Sequence, residues 1–294
     1  MSNDLILLPH KLPEDWKTWA ITADLQCGLH VGLSPEPKNI IQERLLRRWE
    51  DAIAWFGRKP NVLLVVGDIT QGVDPRWLAN LNNEDLFTGV TGGDTQVPEQ
   101  IQKAARLLAM WDAVDEYILV TGTRSHSTVA YQNLEPLVAT ALEAEIFKTS
   151  GKIPKVSVRR KLKTKINDWF ILEARHFIGR SVIPHGRSTA PTRSQMWNVL
   201  NAAIKSYEEE KPIEYPQILI FAHVHYYNYT ENAWGATLIC PSWQALGDPY
   251  GDEMMDGHVD LGVVKLVVGP DKESSWGKAT RLYSASLISR MESR

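Results

Sequence analysis

The sequence predicts a layered α/β fold, and three observations carry that expectation. Apolar runs recur along the chain, and each stops at a polar or Gly-containing turn. In the first half they alternate with stretches of helical periodicity, the pattern of a mainly parallel sheet. In the second half they follow one another with few helices between, which points to a second, partly antiparallel sheet.

Residues 18–22 (TWAIT) form the first predicted strand, which stops at Asp24. Residues 39–56 place Ile40, Ile41, Leu45, Leu46, Trp49 and Ile53 at helical spacing among charges, an amphipathic helix. Residues 62–66 (VLLVV) are a buried strand ending at Gly67-Asp68. Residues 71–97 are rich in Gly, Pro, Asn and Asp and predict a long loop with room for one short helical piece. A helix over 99–114, a strand over 117–120 and a helix over 135–146 complete the alternation. Then come an alternating polar and apolar stretch at 155–164, a strand at 169–172, a helix at 194–209, and strands at 217–221, 236–239 and 261–268. No repeat, low-complexity stretch or linker divides the chain, so residues 1–294 are read as one domain.

Composition narrows the function. The net charge of −3 argues against a surface coated in basic residues for long-range capture of nucleic acid, though not against a local groove. Two cysteines, Cys27 and Cys240, make no disulfide framework and suit a reducing cytoplasm. The first residues carry Asp4, Glu14 and Asp15 and lack the pattern of a signal peptide. No apolar run approaches the ~20 residues of a membrane span, so no membrane partner is expected.

Polar, metal-type residues sit just after the strands: Asp24 and Gln26, then Asp68, then Thr123 and His126, then His176, then His223 and His225. Strand ends on one edge of an α/β sheet converge on a crevice, where such folds bind ligands. Each residue alone has an ordinary reading as a cap, a turn residue or a satisfied histidine. Their conjunction at five strand ends is the signal. Carboxylates with three or more imidazoles suit Mn, Fe, Zn or similar ions rather than Ca.

The segments ADLQCG, VVGDITQG, VTGTRSHS, LEARHFIG and FAHVHYY, in that order, resemble the ordered motifs of the calcineurin-like metallophosphoesterase superfamily. The resemblance spans about residues 18–245. It is closest to phage- and prophage-encoded phosphoesterases, through the Gly-Thr-x-x-His form of the third motif, the HFIGR stretch and PSWQ at Pro241 to Gln244. It implies a layered β-sandwich core flanked by helices, and two divalent metal ions with Mn favoured over Fe, Zn, Mg or Ni. Asp24 and Gln26 would bind the first metal with His225, Asp68 would bridge both, and His176 and His223 would bind the second. His185 competes with His176 for its role; His176 lies nearer a strand end.

Two departures from the family pattern matter. Gln26 stands where an imidazole is usual, which shifts preference from Zn towards Mn or Mg. Thr123-Arg124-Ser125-His126 replaces the usual Asn-His. Thr123 or His126 then takes the place of the Asn ligand, or His126 protonates the leaving group while Arg124 neutralises phosphate charge. The implied activity is that of a metal-dependent phosphoric ester hydrolase working by in-line displacement with metal-activated water. The phage-type features tilt the substrate towards a phosphodiester in nucleic acid or a nucleotide, in a host cytoplasm. The contrasting class is a degenerate relative acting as a structural or regulatory binding subunit. Nothing in the sequence fixes an oligomeric state.

Several features outside this set have bland and sharp readings. The basic run at 152–165 is an edge strand guarded by charge, or a track for a phosphate backbone. Trp77, Trp243 and Tyr250 serve packing, or stack bases. His30 is a structural histidine or a displaced ligand of the first motif. His10 and His258 are read as structural or surface residues, and Cys27 as a small buried residue.

Overall fold

The computed structural model describes residues 14–56, 59–72, 97–111, 114–126, 133–179, 181, 186–247, 259–271 and 278–281. Its elements, in chain order, are β1 (Lys17–Thr22), α1 (Ile40–Phe56), β2 (Val62–Val66), α2 (Val97–Ala109), β3 (Glu116–Val120), α3 (Glu135–Ser150), β4 (Lys155–Arg159), β5 (Leu162–Ile166), β6 (Phe170–Ala174), α4 (Thr189–Glu208), β7 (Ile218–Phe221), β8 (Asn228–Asn232), β9 (Gly235–Ile239), β10 (Val264–Val268) and β11 (Lys278–Arg281).

They build two stacked sheets. The first has six strands in the order β11-β10-β1-β2-β3-β4, and the second five in the order β5-β6-β7-β9-β8. β1 to β4 run parallel, with β10 antiparallel to β1. β6, β7 and β9 run parallel, with β5 and β8 antiparallel at the edges. The expected α/β sandwich flanked by helices is therefore present.

Strand alternation assigns each side chain to a layer. Trp19, Ile21, Leu64, Val66, Ile118 and Val120 face inwards and pack on Leu172, Ile218, Ile220 and Leu238 of the second sheet. Ala20, Leu63, Val65, Tyr117 and Leu119 face the other way, against α1, α2 and α3. A smaller cluster of Leu219, Phe221 and Ile239 lies on the outer face of the second sheet with Ala190 of α4. Such double burial explains why β2 reads as an unbroken apolar run.

Some boundaries differ from expectation. The stretch at 155–164 is not one strand: β4 closes an edge of the first sheet, and β5 opens an edge of the second. Three lysines of the basic run at 152–165 are ion-paired, Lys155 with Glu116, Lys161 with Glu173 and Lys165 with Glu214. This is the charge-guarded edge, on both sheets at once. α2 ends at Ala109 rather than 114, and α4 begins at Thr189 rather than 194. Pro191 does not stop α4, because a first-turn residue needs no intrahelical N–H donor. β8 and β11 were not expected.

Trp243 is fully buried; its indole N–H donates to Thr22 Oγ1 at 2.9 Å and its ring stands edge-on to Trp49 at 5.0 Å. It is a packing residue and cannot stack a base. Trp77, Tyr250, His10, His185, His258 and residues 73–96 of the long loop lie outside the described residues. Among the described residues, no helix is long and apolar enough to cross a membrane.

Candidate metal centre

The carboxyl ends of β1, β2 and β3 in one sheet, and of β6 and β7 in the other, open at the same edge of the sandwich. The backbone ladder continues past the strand ends and holds the loops in place. Asp24 N–H donates to the Gly67 carbonyl at 3.1 Å, Gln26 N–H to Asp68 at 3.1 Å and Cys27 N–H to Ile69 at 2.9 Å. On the other sheet, Ala222 N–H donates to the His176 carbonyl at 2.9 Å. Trp243 N–H donates to the Asp24 carbonyl at 3.0 Å and ties the two sheets together.

Asp24, Gln26, Asp68, His223 and His225 all have positive φ, between 47° and 77°. Left-handed backbone at a non-glycine residue is uncommon and costs on the order of 1–3 kcal/mol. Among the described residues, only Asn167, Asp168 and Glu210 share it without belonging to the candidate set. In an extended strand, i and i+2 side chains share a face and the residue between points away. Here the intervening Leu25 and Val224 are buried in the core, while Asp24, His223 and His225 approach the shared edge.

The distances define the centre. Asp68 Oδ2 lies 2.9 Å from His176 Nε2 and 3.6 Å from His126 Nε2. Asp24 Oδ1 lies 3.2 Å from His225 Nε2 and 3.8 Å from His176 Nε2. His223 N–H donates to Asp24 Oδ2 at 3.2 Å. One ligand atom each from Asp68, His176 and His223 lies within 4.8 Å of the others, a spacing that suits a shared cation. Asp24, Gln26, Asp68, His176 and His225 are buried.

Surrounding groups fix these side chains. His176 Nδ1 is 2.6 Å from the Val66 carbonyl, so Nδ1–H donates there and Nε2 is left to face the carboxylates. That is the usual second-layer support for a ligating imidazole. Thr123 holds Asp68 twice: its N–H donates to Oδ1 at 2.6 Å, and its hydroxyl lies 3.2 and 3.1 Å from the two oxygens. Two close approaches require glycine. A Cβ on Gly122 would come within 2.0 Å of Asp68 Oδ1, and one on Gly67 within 2.4 Å of His176 Nδ1.

The carboxylates and imidazoles set one another's charge. Burial alone would raise the Asp68 pKa, but the charges of His126 and His176 and the His176 hydrogen bond hold it well below the carboxylate range. Burial would lower the His176 pKa, but Asp68 and Asp24 outweigh it and push it up to about 10. His223 is pushed down to about 4, first by burial and then by the charge of His176. A proton on His176 and a cation compete for the same Nε2.

The donor set fits a metal on a second, independent ground. Both amide atoms of Gln26 are buried without a hydrogen-bond partner, and Asp24 Oδ1 and His176 Nε2, also buried, face only the charged groups of the centre itself. Buried polar groups are otherwise almost always paired. Mixed carboxylate, amide and imidazole donors suit a borderline divalent cation.

The remaining expected residues fall as follows. His126 reaches the centre; its Nδ1 is 2.9 Å from the Gln71 carbonyl and its Nε2 faces Asp68. Arg124 opens the same short turn, Arg124–His126, and is exposed. His30 contacts the Gly247 carbonyl oxygen at 3.2 Å instead. Cys27 and Cys240 are buried free thiols, and burial pushes both pKa values up, so neither is a nucleophile at neutral pH.

Two neighbours went unnoticed in the sequence. Glu135 is buried behind Asp68 and its Oε1 accepts the Gly122 N–H at 2.9 Å. Burial pushes its carboxyl up to about 7, and the Asp68 charge adds to the rise. Phe177 stands 62% exposed at the rim, its ring 5.0 Å from that of His223. An acidic residue in a helix's first turn reads as a dipole partner, and a single Phe carries no pattern, so neither gave a signal.

No protein family's sequence profile and no curated relative matches the chain. Solved structures of similar outline include an archaeal phosphodiesterase, at TM-score 0.39 and 11% identity, covering 90% of this chain and 99% of that one. A predicted phosphoesterase from Streptococcus pneumoniae aligns at TM-score 0.34 and 12% identity over 91% and 90% of the two chains. Vps29 from Entamoeba histolytica, complexed with zinc, aligns at TM-score 0.36 and 13% identity over 90% and 98%. Overlaps this loose leave the function to be argued from the site itself.

Proposed function

We propose that the chain is a dinuclear-metal phosphoesterase, acting on a phosphodiester in nucleic acid or a nucleotide. The observation that carries this reading is the close approach of Asp24, Asp68, His176, His223 and His225 at one sandwich edge, with Gln26 on the loop that carries Asp24. Left-handed backbone is concentrated there, and both amide atoms of Gln26 are buried without a partner. The motif order along the chain supports it.

In this reading Asp24, Gln26 and His225 would hold one divalent cation and His176 and His223 the other, with Asp68 serving both. Bound there, the cations supply Lewis acidity and bring water ionisation towards neutral pH. The chain's own residues do the rest. Thr123 and Gly122 keep Asp68 in place, and Val66 fixes the His176 tautomer. The Gln71 carbonyl orients His126 so that Nε2 faces the centre, placed to give a proton to the departing alkoxide. Arg124, exposed on the same turn, meets phosphate charge.

The engagement of the Thr123 hydroxyl by Asp68 favours one other reading. It takes up the group that would replace the usual Asn, so the second cation is a ligand short unless His126 supplies one. A non-catalytic binding subunit would show the same economy.

Metal-depleted protein reloaded with single ions tests the proposal. The substrates are single-stranded DNA, duplex DNA, a cyclic dinucleotide and p-nitrophenyl mono- and diesters. Mn should support more turnover than Zn or Mg, because the amide of Gln26 hardens the first site. A clear Zn optimum would contradict the role given to Gln26. Silence on every ester with both ions bound would favour the binding subunit.

A further inference from the structure

α4 covers the outer face of the second sheet with little of its own surface. Its buried residues are Pro191, Gln195 and Ala202. Gln195 anchors it, donating from Nε2 to the Pro216 carbonyl at 2.7 Å and the Trp234 carbonyl at 2.9 Å. The opposite side carries Met196, Trp197, Leu200, Ile204 and Tyr207, between 47% and 88% exposed. A surface helix normally turns charge outwards. α1 does so, exposing Glu43, Arg47, Glu50 and Asp51.

The exposed apolar residues are not scattered. Trp197, Leu200, Ile204 and Tyr207 follow one another at steps of three, four and three, the a/d spacing of a helix that packs on another helix. A contiguous apolar patch of this kind marks an interaction site. The ends of the stripe differ in charge: Arg193 lies at its amino end and Glu208 at its carboxyl end, both exposed, while beside Glu208 the helix carries Lys205, and Glu209 is paired with Lys211.

We propose that α4 is a dimerisation helix whose partner is α4 of a second copy of this chain, running antiparallel. A two-fold axis between Leu200 and Asn201 sets Trp197 against Ile204 of the second copy, and Arg193 against its Glu208. The same patch then serves both copies, as a closed dimer requires. A parallel pair would set Arg193 against Arg193 and Glu208 against Glu208. The charge pattern also disfavours a lipid surface. Helices that lie on anionic membranes line their polar face with Lys and Arg, whereas this one carries only Arg193 and Lys205, with Glu208 to Glu210 at its end, on a chain of net charge −3.

Light scattering and sedimentation equilibrium on the full chain test this, with circular dichroism as the check on folding. The wild type should be a dimer, and Leu200→Glu a folded monomer. Arg193→Glu should weaken dimerisation by about tenfold, because symmetry breaks the ion pair twice. Adding Glu208→Arg to it should restore dimerisation to within about threefold, a rescue that only the antiparallel register gives. If Leu200→Glu also perturbs folding, this charge swap still decides. A wild type that is monomeric at every concentration overturns the proposal. So does a dimer indifferent to Leu200→Glu, or a charge swap that fails to rescue. A monomer that binds phosphatidylglycerol vesicles through the stripe would assign the face to lipid and overturn it too.

Discussion

Asp68→Asn is expected to remove turnover and to strip ions from the centre. The carboxylate is buried, is held by the Thr123 N–H and hydroxyl, and faces both His176 and His126. An amide of the same shape fits the space but carries no charge. It also presents N–H groups where a cation needs lone pairs. The imidazole of His176, raised to about 10 largely by the Asp68 and Asp24 charges, loses the nearer of those partners. Turnover should fall by at least about 10²–10³-fold, the scale of losing one preorganised electrostatic group. Elemental analysis should show ions lost, while circular dichroism stays unchanged. Near-normal turnover with a full metal complement would reject the assignment of this edge as the active centre.

His126→Ala should have the second largest effect, and its pattern across substrates matters more than its size. Nδ1 is tied to the Gln71 carbonyl, and Nε2 stands 3.6 Å from Asp68 Oδ2. A general acid in that position contributes about 10²–10⁴-fold. A p-nitrophenyl ester, whose leaving group needs little protonation, should be nearly spared, and an ester with a nucleoside alkoxide should suffer most. If His126 ligates the second cation instead, the variant should lose an ion and be equally slow on every ester. Metal content and two-substrate rates on this one variant separate the roles.

The interior strands were legible because both faces are buried, which leaves an apolar run such as VLLVV or ILIF. β8 was not, because Asn228–Asn232 is a polar edge strand with no such run. The break between β4 and β5 was hidden for a related reason. The turn at Arg160-Lys161 has no Gly or Pro, and both flanking strands lie on sheet edges. α4 began early because a threonine, an alanine and a proline in its first turn read as loop.

For the site, residue types and their places after strands were readable from order alone. What could not be read was backbone handedness. Left-handed φ at Asp24, Gln26, Asp68, His223 and His225 depends on tertiary contacts such as the hydrogen bonds between the two loops, not on local propensity. Glu135 was invisible for the same reason, since its burial comes from packing and not from its neighbours in sequence.

The most direct test of the central claim is the count of metal ions on the wild-type chain after reloading with Mn and removal of free ion, paired with phosphodiester turnover on the same sample. Two ions per chain, with turnover lost when they are removed and regained when they return, is the expected result. One ion or none, with no turnover on any ester, would contradict the dinuclear phosphoesterase and leave a binding subunit built on the same frame.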